Sequence, residues 1–108
     1  MPFVQLTTSS PVNPPEGSAL ATRLAAEFAS ALGLPADAVL VQHLIAETPP
    51  AGGAVAVVRG RPRDPALMRR AVEHAGALLS AELGLHPDLV FVSWPPPGTA
   101  ATGAGSVT

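Results

Sequence analysis

Pro2 stands directly before an apolar, strand-like run, Phe3-Val4-Gln5-Leu6. A small second residue favours removal of Met1, and Pro2 then begins the chain as a secondary amine anchored to a strand. An amine fixed in this way can act as a base. Proline is also well tolerated as the first residue of a strand with no chemistry attached, so its meaning depends on the groups that the fold brings to it. Arg59, Arg61 and Arg63 alternate through the exit of a later strand. If that strand and the first run antiparallel, the exit lies beside Pro2, and Arg59 and Arg61 share a face. The competing reading is a set of solvated turn residues, with Arg63 balancing Asp64.

Other reactive residue types are sparse. There are no cysteines, which excludes disulfides, thiol catalysis and thiolate metal sites. His43 falls on a strand, His74 on a helix and His86 in a turn. No trio of histidines and carboxylates has ligand spacing, so no metal is expected. A lone strand histidine such as His43 is more often structural than catalytic.

Composition narrows the partners. The chain has 108 residues, 47% of them hydrophobic, which suits one modest core. Net charge is -2, and all six basic residues are arginine, so neither nucleic acid nor an anionic membrane is an expected partner. No basic leader precedes a long apolar stretch, and no apolar run approaches the roughly 20 residues of a membrane span. A cytoplasmic protein is expected.

The elements that must position Pro2 emerge when the chain is compared with itself. At an offset of 51, Leu32-Gly33-Leu34 lies over Leu83-Gly84-Leu85, Asp37 over Asp88, Val39 over Val90 and Val41 over Val92. The same offset lays Phe3 over Ala54, giving Pro2 the partner position Gly53. Each copy reads as strand, helix, strand. Leu20, Leu24, Phe28 and Leu32 recur at helical spacing in the first copy, and Leu67, Met68, Ala71, Val72, Ala75, Leu79 and Leu83 in the second. Pro15-Glu16 and Asp64-Pro65 open the helices; Gly33 and Gly84 close them. β-Rich runs follow over 38–45 and 89–94.

The expected fold is therefore α+β: a tandem βαβ repeat, with a four-stranded mixed sheet and both helices on one face. The domain spans 1–94, with repeats 2–45 and 53–94 joined by a turn at Thr48–Gly53. A flexible Pro/Gly-rich tail occupies 95–108. So short a chain cannot cover the second sheet face, which predicts self-association there.

A tandem βαβ chain of this length that starts at Pro2 resembles the tautomerase superfamily, in particular its long-chain members in the macrophage migration inhibitory factor and 5-carboxymethyl-2-hydroxymuconate isomerase groups. The elements that carry the resemblance are Pro2 before a strand, Pro15-Glu16-Gly17, Gly33-Leu34-Pro35, Gly52-Gly53, and Pro87-Asp88-Leu89-Val90-Phe91-Val92. It covers residues 2 to about 94.

The resemblance implies a homotrimer without cofactor, in which Pro2 shuttles a proton between carbon and oxygen during keto-enol conversion of a small α-keto acid or related carbonyl compound. An α-amino group titrates near 7.7–8.0 and a proline amine is more basic, so an apolar wall would bring it toward working pH. Leu6, Leu40, Phe91 and Trp94 are candidates for that wall. A carboxylate substrate needs a cation, and Arg61 is the first candidate with Arg59 beside it. Arg61-Pro62-Arg63 also resembles the arginine pair of superfamily decarboxylases acting on 3-oxo acids. Decarboxylation or hydration of a small 3-oxo or unsaturated acid, or a non-catalytic trimeric module, are the alternatives. Asp37 might match an acid of those decarboxylases, but Asp88 holds the equivalent repeat position, which favours a structural role for both. Cytokine-like members carry lysine at the place of Leu34, and tyrosine and asparagine at those of Phe91 and Ser93. The arginine pair would have to substitute for them.

Overall fold

The computed structural model describes residues 2–9, 16–46, 53–96, 101–102 and 105–106. Strand β1 (Phe3–Thr8) leads to helix α1 (Glu16–Leu32) and strand β2 (Leu40–Ile45). Strand β3 (Ala54–Arg59), helix α2 (Pro65–Leu83) and strand β4 (Val90–Ser93) repeat the pattern. Sheet order is β2-β1-β3-β4, with β1 parallel to β2, β3 parallel to β4, and the central pair antiparallel. This is the expected tandem βαβ arrangement.

Local chemistry fixes the helix ends. The Asp64 carboxylate accepts a hydrogen bond from Ala66 N at 2.9 Å, satisfying an N–H that the first turn leaves unpaired, and Pro65 at the first position has no N–H to lose. At the other end Gly84 takes φ 64 and ψ 33, and Gly33 takes φ 72, left-handed conformations in which a side chain is disfavoured. Between those ends, the predicted stripes turn inward. Leu20, Leu24, Phe28 and Leu32 from α1 and Ala71, Ala75 and Leu79 from α2 are buried against the sheet.

Val4, Leu6 and Thr8 of β1 and Ala54, Ala56 and Val58 of β3 are the helix-facing residues, all at most 2% exposed. Phe3, Leu40, Leu44, Val55 and Phe91 are exposed, and strand alternation sets them on the opposite face, which no element among the described residues covers. Short links pin the central register. Ser9 N donates to the Gly53 carbonyl at 3.0 Å, and Gly53 N donates to Ser9 Oγ at 2.6 Å.

The repeat alignment needs one correction. Phe3 and Ala54, equivalent at an offset of 51, lie on opposite faces. In the sheet Val4 pairs with Val41 and Ala56 with Val92. Thus Val41 matches Val92 at 51, whereas Val4 matches Ala56 at 52, and the β1–α1 connection is one residue longer than its counterpart. A one-residue slip moves every strand side chain to the other face, so burial decides between the two alignments. The equivalent of Pro2 is Ala54, not Gly53.

In the tail, read as flexible from composition, strand β5 (Ala101–Thr102) pairs antiparallel with strand β6 (Gly105–Ser106). Pro15, most of the Thr48–Gly53 turn and the rest of the tail beyond residue 96 lie outside the described residues.

Candidate active site

Pro2 is buried, with under 2% of its surface exposed. Its carbonyl accepts from Leu40 N at 3.1 Å, so the start of β2 is stitched to the start of β1. On the other side of β1, Phe3 is the partner of Arg59, the last residue of β3. The antiparallel central pair therefore brings the third-strand exit beside Pro2, as expected. Arg59 and Arg61 are both exposed. Arg59 ends the strand, whereas Arg61 lies past it in the connection to α2, where strand alternation no longer assigns a face.

The apolar candidates separate. Leu40 is exposed at the Pro2 end, in register with Phe3. Leu6 is 0% exposed and belongs to the core. Trp94 follows β4 and packs on Phe28, with ring centroids 5.6 Å apart and planes tilted by 36°. Phe91 is 62% exposed and pairs with Val55, itself the partner of Thr7. Five residues separate Thr7 from Pro2, roughly 17 Å of strand. Within one chain Phe91 does not approach Pro2.

The remaining singled-out groups are spread over the sheet, the helices and the turns. The Thr8 hydroxyl and His43 Nε2 are 3.0 Å apart at the far end of the sheet, and burial lowers the His43 pKa below its ordinary 6.5. His74 contacts Glu27 at 3.0 Å across the two helices. Asp37 and Asp88 occupy matching 3-10 turns, Ala36–Ala38 and Pro87–Leu89, ahead of β2 and β4. Among the described residues no three histidines or carboxylates are grouped to hold a metal ion, and no helix is long and apolar enough to cross a membrane.

No protein-family model matches the sequence, and no curated protein matches it. Solved structures do match. MIF2 of Leishmania major is 18% identical, covers 98% of this chain and 97% of its own, and superposes with a TM-score of 0.78. A fused 4-OT solved as an asymmetric trimer is 16% identical over 97% of this chain and 95% of its own, with a TM-score of 0.77. Pt0534 inactivated by 2-oxo-3-pentynoate is 15% identical over 95% of this chain and 93% of its own, with a TM-score of 0.74. The chain has the fold of these MIF and 4-OT structures.

On this fold, two features of the Pro2 end were invisible in the sequence. Arg63 Nε and Trp94 Nε1 are both shielded from solvent and have no hydrogen-bond partner among the described residues. Unpaired buried donors are uncommon because each forfeits its hydration. No sequence signal marks them, since residue type does not reveal whether a partner is in reach. Two open grooves lie elsewhere. One of about 630 Å³ runs between α2 and the β4 edge, past Val72, Gly76 and Val92. The other, about 370 Å³, passes the repeat equivalents Ala21, Ala25 and Val41. Neither includes Pro2.

Proposed function

We propose that the protein is a cofactor-independent tautomerase of small 2-oxo acids, with Pro2, freed by loss of Met1, as its base. The observation that carries this reading is the pairing of Phe3 with Arg59 in a chain of tautomerase-like fold, which supports Arg59 as the cation near the start of β1. The buried Pro2 position favours a neutral, proton-accepting amine. That amine takes a proton from C3 of the keto form, leaving an enolate, and the proton returns to oxygen to give the enol. Arg59, with Arg61 two residues on, binds the substrate carboxylate and offsets charge developing on the oxygen. The chemistry of Pt0534, inactivated by a 2-oxo acid, supports this substrate class.

The working unit in this reading is a homotrimer. Support comes from the uncovered, partly apolar sheet face and from the fused 4-OT solved as a trimer. Phe91 on that face is then available to the Pro2 site of a neighbouring copy, which its own chain cannot offer it.

Proton NMR in deuterium oxide, following exchange at C3 of 2-oxobutanoate, tests the proposal together with intact-mass measurement. Wild-type protein lacking Met1 is expected to accelerate exchange, and Pro2→Ala to abolish the acceleration. Wild-type exchange no faster than that of the variant, or complete retention of Met1, overturns it.

A further inference from the structure

Five of the six basic residues, Arg59, Arg61, Arg63, Arg69 and Arg70, fall within positions 59–70, where Asp64 is the single acid. That segment carries +4 (five minus one) in a chain of net charge -2, so the remainder carries -6 (-2 minus 4). The fold gathers this charge at one end. The segment leaves β3 opposite Phe3, crosses to α2 and climbs its first turns, with Arg69 and Arg70 exposed about 6–8 Å above Pro65.

Among the described residues, none of these arginines has a carboxylate partner. The one arginine ion pair there is Arg23–Glu82 at 2.7 Å. Asp64 spends an oxygen on Ala66 N, and Asp37, on the turn that enters β2, is the other acid at this end. Glu73 is a further turn up α2, and Glu27 is engaged with His74. Arg63 adds a buried Nε–H that lacks an acceptor. A surface so rich in unpaired cations, with an unsatisfied donor in the connection that leaves β3 opposite Phe3, is suited to drawing in small anions.

Resting on the Pro2 reading above, we propose that Arg69 and Arg70 are the outer members of an electrostatic funnel that captures small carboxylates for the Pro2 site and favours doubly over singly charged ones. They touch no reacting atom; they raise the local concentration and arrival rate of the anion. The Debye length sets the range. It is about 8 Å in 0.15 M salt and about 3 Å in 1 M salt, so the pull of the outer arginines fades as salt is added.

The test uses the full chain and the double variant Arg69→Gln/Arg70→Gln. At low salt the variant is expected to lose about 3- to 10-fold in kcat/KM for 2-oxo acids, with the loss in kcat/KM and not in kcat, and to show a flatter decline with added salt. Binding is measured separately by NMR titration of malonate and acetate into Pro2→Ala protein with and without the two substitutions. Malonate affinity should fall severalfold when the arginines are removed, and acetate affinity less. Arginine-dependent malonate binding in a protein without exchange activity sustains the funnel while removing the tautomerase reading. Malonate affinity within twofold, or an unaltered salt slope in kcat/KM, overturns the funnel.

Discussion

Phe3 faces Arg59 across the ladder between β1 and β3. The pairing joins the first described strand to the last residue of the third, fifty-odd positions apart in sequence. It also distinguishes two arginines of identical chemistry, because Arg59 is fixed by strand hydrogen bonding and Arg61 only by the loop that follows.

Arg59→Gln should therefore raise KM for a 2-oxo acid more than Arg61→Gln. A hydrogen bond to a charged group is worth about 1.5–3 kcal/mol, and exposure of the guanidinium places the effect near the lower end, about tenfold. Steady-state kinetics on the two variants decide the matter. A larger effect at Arg61 would move the carboxylate site into the loop.

The uncovered sheet face gives a prediction about assembly. Val55 and Phe91 are 44% and 62% exposed in the isolated chain, and they are register partners. In a trimer closed through this face, Val55→Asp buries an unpaired carboxylate. Analytical ultracentrifugation should find wild type at the mass of three chains and the variant shifted to one. Wild type sedimenting as a monomer would refute the trimer.

His43 gives stability a pH dependence. Burial depresses its pKa below 6.5, so the folded chain holds this proton less well than the unfolded chain. Stability contributed by neutral His43 is complete above the unfolded value. It declines as pH falls below about 6.5 toward the folded-state pKa. Urea midpoints between pH 7.5 and 5.5 should drop for wild type and drop less for His43→Gln, which retains a polar partner for Thr8. Equal declines would show that other groups dominate.

Asp64→Ala removes the side-chain cap of α2. Loss of such a cap costs about 1 kcal/mol, or roughly 4 °C in Tm for a chain of this size. Thermal melts at matched protein concentration measure it. Since the connection that carries Arg61 and Arg63 ends at this cap, the variant should also raise KM modestly. An unchanged Tm would mean that Pro65 and packing alone hold the helix start.

Much of the fold was legible because it is written in periodicity. Leu20, Leu24, Phe28 and Leu32 recur at helical spacing because one face must leave water, and Gly84 stands where the backbone turns left-handed. The strand alignment was less legible. Sequence identity around Leu32 and Leu83 set the offset at 51, but β1 and β3 are too dissimilar in side chains to reveal the extra residue before α1. Only the burial of Val4 and Ala56 exposed the shift.

The candidate site divides in the same way. The sequence by itself determined that a proline precedes the first strand, that the cations crowd into positions 59–70, and that two βαβ units share one chain. These are properties of residue order, and local rules suffice to read them. Tertiary structure decided that Arg59 is in register with Phe3, that Phe91 lies about 17 Å of strand away from Pro2 in the same chain, and that Trp94 lies on Phe28. Those outcomes depend on strand pairing and side-chain packing between residues far apart in sequence, where a shift of one position exchanges the face that meets the core for the face that meets a ligand or another subunit.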